Sequence, residues 1–330
     1  MSSRRPLAAA SLVLVSALAL AACAAGPAAE LEAPTSSDEP TTVTVEDNNG
    51  SHKIDLPLKS VVATDNRTFE TLESWGIELS AAAVSLMPNT NSYTEDEDII
   101  DLGSHREPNL EAVVAVQPDL IINGQRFAQF HDDFVSYAPD AVVLELDPRD
   151  GESFEAELKR QTTVLGEVFG KQTEAKELND ALDEAIDRVA AAYDDTETVM
   201  AVTTSGGEIG YIAPHVGRTL GPVFDFAGLT PALEVPEATD DHQGDDIAVE
   251  AIADSNPDWI LVMDRDAAVG ADDPNYSPAA DILENSEALA KVTAVADGNI
   301  VYMPADTYTN EGIQTYTEFL NSFADALEGN

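Results

Sequence analysis

The chain has 330 residues, and its 16 Lys and Arg against 62 Asp and Glu give a formal net charge of −46 at pH 7. This charge excludes nucleic acid as a partner, because phosphate groups would be repelled. Cys23 is the only cysteine, so the fold cannot rest on an internal disulfide and must be held by apolar burial. Because so acidic a chain has few cationic side chains, the position of each one is informative about function.

The first 22 residues predict a cleavable lipoprotein signal. Arg4 and Arg5 precede an apolar run, Leu7 to Leu20, which is too short to span a bilayer. The run leads into small residues that end at Cys23, which we expect to carry the lipid. The alternative is a plain secretory signal with a chance cysteine. The prediction is an extracytoplasmic protein anchored to the cell membrane, exported by the general or the twin-arginine route.

Beyond the signal, the pattern predicts an α/β fold. Residues 23–41 are rich in Ala, Pro, Ser and acids and indicate a flexible tether, and 42–55 reads as a β-hairpin. Short apolar runs then alternate with helical patterns, which favours mainly parallel sheets. The predicted strands are 60–64, 79–84, 119–123, 141–146, 198–203, 259–263 and 299–303. The predicted helices are 68–75, 110–116, 250–255 and 312–327.

A long helix divides this alternation into two sets. Residues 173–193 lack Gly and Pro, and Leu178, Leu182, Ile186 and Val189 recur at helical spacing. We expect two Rossmann-like α/β lobes with mainly parallel sheets, linked by this one long rigid helix. The predicted boundaries are 42–170 for the N-terminal lobe, 171–195 for the linking helix and 196–330 for the C-terminal lobe.

One motif occurs once in each half. Asn109–Ile122 and Ala248–Leu261 both carry a Glu in the first helical turn, a Pro-Asp seven residues later and then an apolar strand. Proline ends each helix before the strand begins. Glu111 and Glu250 therefore occupy matching positions in two related lobes.

These paired motifs, the linking helix and the lipobox together resemble the solute-binding lipoproteins of ABC importers for iron-siderophores and cobalamin. The resemblance covers residues from Val43 to the C-terminus and is strongest to binders of ferric catecholate siderophores. It implies capture of an anionic ferric siderophore in an inter-lobe cleft and its delivery to a membrane permease. Iron would then be part of the transported ligand, and no intrinsic cofactor is expected.

Three arginines are the main ligand-binding candidates. Arg126 and Arg265 each follow a predicted strand directly, and Arg218 lies in a Gly-flanked loop after an apolar segment. Ligands of open α/β sheets bind beyond the carboxyl ends of strands. Guanidinium groups keep their charge and donate to the oxygens of an anionic catecholate complex. The alternative is that each arginine only neutralises a nearby acid. Arg106 is a fourth candidate, and Arg67 ranks after it.

The resemblance also assigns roles to residues outside this group. His242 and Tyr308 match a His and a Tyr that complete the Fe(III) coordination when the siderophore supplies only four donors, although an isolated His in an acidic loop is more often simply solvated. Glu111 and Glu250 match surface acids that dock on the permease. Their generic alternative is a favourable interaction with the helix dipole.

Other functions have less support in the sequence. The GxSxG, HExxH, GxGxxG and phosphate-loop motifs are missing, so an enzyme is not expected. Within the same family, a haem or cobalamin binder is the main alternative. From another class, an acidic surface lipoprotein without a transport role stays open. A monomer is expected.

Overall fold

The computed structural model describes residues 41–329, so the signal, Cys23 and nearly all of the tether lie outside the described residues. It begins with the predicted hairpin, formed by β1 (Thr42–Asp47) and β2 (Gly50–Asp55). The two strands pair antiparallel, with Val43 opposite Ile54. Val45 and Ile54 are buried, which fixes one face of the hairpin against the body of the protein.

The first sheet is entirely parallel and has the strand order β5-β4-β3-β6-β7. Its strands are β3 (Val61–Ala63), β4 (Ala81–Ala82), β5 (Ile100–Asp101), β6 (Leu120–Asn123) and β7 (Val142–Glu145). Because β3 and β6 are neighbours without being consecutive, the strand order reverses between them. Such a reversal opens a crevice at the carboxyl ends of the strands.

The second sheet has the order β11-β10-β8-β9, and only β9 runs antiparallel to its neighbour. Its strands are β8 (Val199–Ser205), β9 (Glu208–Ile212), β10 (Trp259–Asp264) and β11 (Ile300–Tyr302). Gly206 and Gly207 both have positive φ and form the tight turn that folds β9 back on β8. The sequence pattern predicts neither β9 nor the two-residue β5.

Helices cover both sheets, and the predicted α/β class with mainly parallel sheets is confirmed. Of the helices in residues 41–329, none is both long and apolar enough to cross a membrane. The α-helices are α1 (Phe69–Ser74), α2 (Leu110–Val116), α3 (His131–Tyr137), α4 (Phe154–Phe169), α5 (Gln172–Ala192), α6 (Val223–Ala227), α7 (Val249–Ser255), α8 (Arg265–Val269), α9 (Ala279–Glu284), α10 (Thr293–Asp297) and α11 (Ile313–Leu327). Short 3-10 helices occupy Val84–Leu86, Ser92–Glu95, Gln125–Phe130 and Thr307–Thr309.

The connection between the sheets consists of two helices, α4 and α5, of which only α5 was predicted. A left-handed Gly170 ends α4, and α5 begins two residues later. Leu158 of α4 and Leu182 of α5 pack into the core of the second sheet. Val168 of α4 and Ala175 of α5 pack into the core of the first sheet. The helix pair therefore contributes to both cores, while the predicted domain boundaries stay predictions.

A buried carboxylate fastens α4 to the loop after β7. Glu157 is 2% exposed. Its oxygens lie 2.6 Å from Nη2 of Arg149 and 2.7 Å from Nη2 of Arg160. Burial acts to raise the pKa of Glu157, but the hydrogen bonds from these two guanidinium groups outweigh it and lower the pKa to about 2. The carboxylate is thus ionised throughout the neutral range.

Glu157→Gln is expected to lower the free energy of unfolding by about 1–3 kcal/mol at pH 7, because it weakens charge-assisted hydrogen bonds at a buried site. A lowered folded-state pKa gives stability that is present above the unfolded value near 4.5 and is lost as pH falls toward 2. Urea unfolding at pH 7 and pH 3 should therefore show a smaller difference between wild type and variant at pH 3. Exposed Glu184→Gln is the control, and an equal difference at both pH values would contradict the prediction.

Candidate functional site

Tyr308 is the centre of the candidate site. It lies in the 3-10 turn Thr307–Thr309 that follows β11. Three guanidinium groups lie close to its ring: the Cζ atoms of Arg265, Arg126 and Arg218 are 4.7, 5.0 and 5.5 Å from the ring centroid. These are cation–π distances. The structure thus brings together the three arginines that the sequence singled out, around a tyrosine that the family resemblance singled out.

The fold explains this convergence. Arg126 lies in the 3-10 helix that follows β6, at the crevice between β3 and β6. Arg265 is the first residue of α8, directly after β10. Arg218 comes from the loop after β9. Arg126 and Arg265 therefore point from the carboxyl ends of two different sheets, as expected for ligand-binding residues of open α/β sheets.

Arg126 is held by neutral oxygens. Its Nη1 donates to Oδ1 of Asn66 at 2.9 Å and to Oε1 of Gln125 at 3.1 Å. Its Nη2 donates to the backbone carbonyl of Tyr308 at 3.0 Å. These bonds fix the orientation of the guanidinium without cancelling its charge. Arg126 is therefore pre-oriented for an anion.

Arg218 has an acidic partner, Glu311, that was not predicted from the sequence. Its Nη2 and Nε donate to the two carboxylate oxygens of Glu311 at 2.7 and 3.2 Å. Glu311 is 2% exposed and also accepts bonds from the Thr219 hydroxyl at 2.6 Å and the Gln125 amide at 2.7 Å. Burial acts to raise the pKa of Glu311, but the charge of Arg218 and these hydrogen bonds lower it to about 2. The charge of Arg218 is therefore largely balanced.

The charge of Arg265 is balanced more weakly than that of Arg218. Its Nη1 lies 3.1 Å from Oδ1 of Asp266 and 3.2 Å from the Ser205 hydroxyl. Its Nε is buried and has no hydrogen-bond partner among residues 41–329. Buried donors without partners are uncommon.

The surroundings of Tyr308 lower the pKa of its phenol. Burial acts to raise the pKa of the phenol, but the guanidinium groups of Arg265 and Arg126 outweigh it, so the pKa is lower than usual. The exposed ring of His242 is 6.5 Å from the Tyr308 ring, centroid to centroid. The structure therefore also brings together the predicted His and Tyr pair.

Two acids that follow strands of the first sheet lie near the arginines, and neither was predicted from the sequence. Nη1 of Arg67 lies 2.9 Å from Oδ1 of Asp147, in the loop after β7. Asp65, after β3, is fully buried and accepts a bond from Gln161 at 2.8 Å. Burial and the nearby charge of Asp147 raise the pKa of Asp65 to about 7. The rule that ligands bind at strand ends could have found both acids.

The arginines line two cavities. One, of about 510 Å³, is bordered by Arg67, Arg126 and Arg218. The other, of about 570 Å³, is bordered by Arg265 together with Ser205 and Tyr276. Within residues 41–329 no group of three or more His, Cys, Asp or Glu is arranged to hold a metal ion.

The remaining predicted residues lie apart from Tyr308 or at its edge. Arg106 is exposed. Burial, Arg126 and Arg106 together lower the pKa of His105, so Arg106 shares the electrostatic neighbourhood of Arg126. Glu111 and Glu250 are exposed in the first turns of α2 and α7. They occupy equivalent helices of the two halves, as the repeated motif predicts.

Comparison with known proteins matches this architecture. A family model described as periplasmic binding protein matches residues 61–307. The petrobactin-binding protein YclQ of Bacillus subtilis is 26% identical over 96% of this chain and 97% of its own length. The ferric-anguibactin-binding protein FatB of Vibrio anguillarum is 26% identical over 81% of each chain.

Solved structures agree in fold. The crystal structure of YclQ has a TM-score of 0.73 and 24% identity, covering 87% of this chain and 99% of that one. The catecholate-siderophore binding protein VctP of Vibrio cholerae has a TM-score of 0.74 and 22% identity, covering 86% and 99%. The resemblance inferred from the sequence is confirmed at the level of the family. The chain belongs to the periplasmic binding proteins, a family of substrate-binding proteins.

Proposed function

We propose that the chain is the extracytoplasmic, lipid-anchored binding component of an ABC importer. It captures an anionic ferric siderophore of the catecholate type between its two halves and delivers it to the permease; it is not an enzyme. The observation that carries this proposal is the convergence of Arg126, Arg218 and Arg265 on Tyr308. Two relatives that align over most of the chain are named for binding petrobactin and ferric anguibactin, which supports the ligand class.

Local charge supports an anionic ligand in spite of the strongly negative protein. Four arginines border the site, and the carboxylates of Asp147, Glu311 and Asp266 pair with three of them. Arg126 keeps its charge, because its acceptors are neutral. Distant surface acids are screened within about 10 Å at ordinary ionic strength, so the nearby guanidinium groups dominate the field that a bound anion experiences.

The iron would arrive already coordinated. The described residues supply no cluster of three metal-ligating side chains, whereas His242 and Tyr308 form a pair of possible donors. A phenolate oxygen and an imidazole nitrogen both bind Fe(III), and the guanidinium groups of Arg265 and Arg126 lower the pKa of Tyr308, which eases loss of its proton to the metal. This pair suits a siderophore that leaves two coordination positions free.

Two alternatives make different demands on the site. A haem or cobalamin binder of the same family does not depend on three cleft arginines. An acidic surface lipoprotein without a transport role requires no matching pair of acids on α2 and α7. The convergence of the arginines favours a siderophore over haem or cobalamin. The paired glutamates favour a transport role over that of a surface lipoprotein without transport.

The direct test is a titration of the mature protein with a ferric tris-catecholate and a ferric bis-catecholate, followed by tryptophan fluorescence. Trp75 and Trp259 are both buried, and the broad absorption of the complex should quench them. Saturable quenching at micromolar ligand is expected. Quenching by haem or cobalamin but by neither catecholate would reject the siderophore while keeping the family.

Arg126→Ala and Arg265→Ala are each expected to weaken binding by about tenfold to a hundredfold, since each removes charge-assisted hydrogen bonds to the ligand. The same titration measures the change. Arg188→Ala is the matched control, because Arg188 pairs with Asp325 and Glu328 on the helical surface. If all three variants bind equally well, the arginines have no role in ligand recognition.

Tyr308→Phe should distinguish the two ligand types. With the bis-catecholate, it is expected to remove a phenolate-to-iron contribution from the visible spectrum and to weaken binding by tenfold or more. With the tris-catecholate, which fills all six positions, the affinity should change by no more than about threefold, because Tyr308→Phe keeps the ring and its contacts with the arginines and removes only the hydroxyl. Identical effects on both ligands would exclude coordination by Tyr308.

Glu111→Ala combined with Glu250→Ala is expected to leave siderophore binding unchanged and to reduce cellular iron uptake at least tenfold. The reason is that both carboxylates are exposed and available to cationic groups of the permease. Uptake of the radioactive iron complex measures the effect. Glu174→Ala with Glu184→Ala removes two acids from α5 as a control, and normal uptake in the first pair would exclude docking through these residues.

A further inference from the structure

Carboxylates balance most of the positive charge that the three arginines bring to the tyrosine ring. Nη2 of Arg218 lies 2.7 Å from Oε2 of Glu311, and Nη1 of Arg265 lies 3.1 Å from Oδ1 of Asp266. Within residues 41–329, the hydrogen bonds of Arg126 all go to neutral oxygens. Two of the three guanidinium charges are therefore paired, and only one is left without an acidic partner.

Glu311 acts on this site through its charge, because its carboxylate is already fully used inside the protein. The residue is 2% exposed. Oε1 accepts from Nε of Arg218 and from the Thr219 hydroxyl, and Oε2 accepts from Nη2 of Arg218 and from the Gln125 amide. A buried charge is screened much less than a charge on the surface. Any anion that binds against Arg218 therefore also experiences the negative charge of Glu311.

Asp266 has the same relation to Arg265 at a more accessible position. Its side chain is 23% exposed, and its Oδ2 accepts from the backbone N–H of Gly206 at 2.5 Å. Asp266 and Arg265 line the same cavity of about 570 Å³. Because water screens a partly exposed carboxylate, its effect on a bound anion should be smaller than that of Glu311.

We propose that Glu311, and to a smaller extent Asp266, determine the ligand charge that the site prefers: they lower its preference for a trianionic ferric complex relative to a monoanionic one. Since a ferric complex beside these arginines is itself the proposed function, this selectivity rests on that proposal. Coulomb energy is proportional to the charge of the ligand. Each carboxylate therefore opposes a trianion about three times as strongly as a monoanion in the same position.

Titration of wild type and Glu311→Gln with a ferric tris-catecholate, which is a trianion, and a ferric bis-catecholate, which is a monoanion, tests this selectivity. Tryptophan fluorescence follows both. The substitution keeps the size of the side chain and removes its charge. It is expected to raise the affinity for the tris-catecholate about thirtyfold and that for the bis-catecholate about threefold to tenfold. A residue with only a structural role would lower both affinities when replaced, so a gain distinguishes the two roles.

Asp266→Asn is the second variant, because it changes a partly exposed side chain and decides the question if circular dichroism shows that Glu311→Gln does not fold. It is expected to raise the affinity for the tris-catecholate about fivefold and that for the bis-catecholate about twofold or less. The control is Glu184→Gln, which removes one exposed acid from α5 and should leave both affinities unchanged.

Three results in folded variants would overturn this role of the carboxylates: no gain for either complex, equal gains for both, or the same gains in Glu184→Gln, which would indicate only the net charge of the whole protein. Failure of the wild-type protein to bind either complex is a separate result. It would reject the proposed function itself, and the selectivity with it.

Discussion

The buried ion pair between Arg218 and Glu311 is the interaction on which the site depends. Glu311 lies one residue before the Gly312 that precedes α11, and it accepts bonds from Arg218 and Thr219 of the second half and from Gln125 of the first. An ionised carboxylate at this depth is costly unless every oxygen is satisfied. The pair therefore fixes the chain from Tyr308 to α11 relative to both sheets, and with it the ring around which the other arginines assemble.

This pairing divides the three arginines by role. Glu311 balances most of the charge of Arg218, so Arg218 should contribute less than Arg126 to the proposed binding of an anion. Arg126, bonded to neutral oxygens, retains its full charge. Arg265 lies between them, with one moderate contact to Asp266. An acidic protein can thus have a locally cationic surface when one guanidinium group lacks an acidic partner. A large cluster of arginines is not required.

The sequence predicted most strands, α2, α5, α11 and the arginine trio, because each depends on local pattern or on position at a strand end. Tyr308 and His242 came from family resemblance alone. Glu311 was not predicted. Its partners Gln125 and Arg218 are 186 and 93 residues away in the sequence, and no local pattern predicts so distant a contact. Strand β9 and α4 were missed although local signals mark both: the Gly206-Gly207 pair is typical of a two-residue hairpin turn, and Ser153 and Gly170 cap the two ends of α4.

Contacts within the protein itself order the residues around Tyr308. Asn66 of the first half donates to the carbonyl of Thr309 at 2.9 Å and accepts from Arg126 at 2.9 Å, so one side chain orders both the turn and the arginine. α4 and α5 each bury side chains in both cores, which ties the halves together away from the site. The binding proposed for this site would then require little new order in the protein. Affinity in such a site follows from charge and donor geometry, because the entropic cost of assembling the arginines was met on folding.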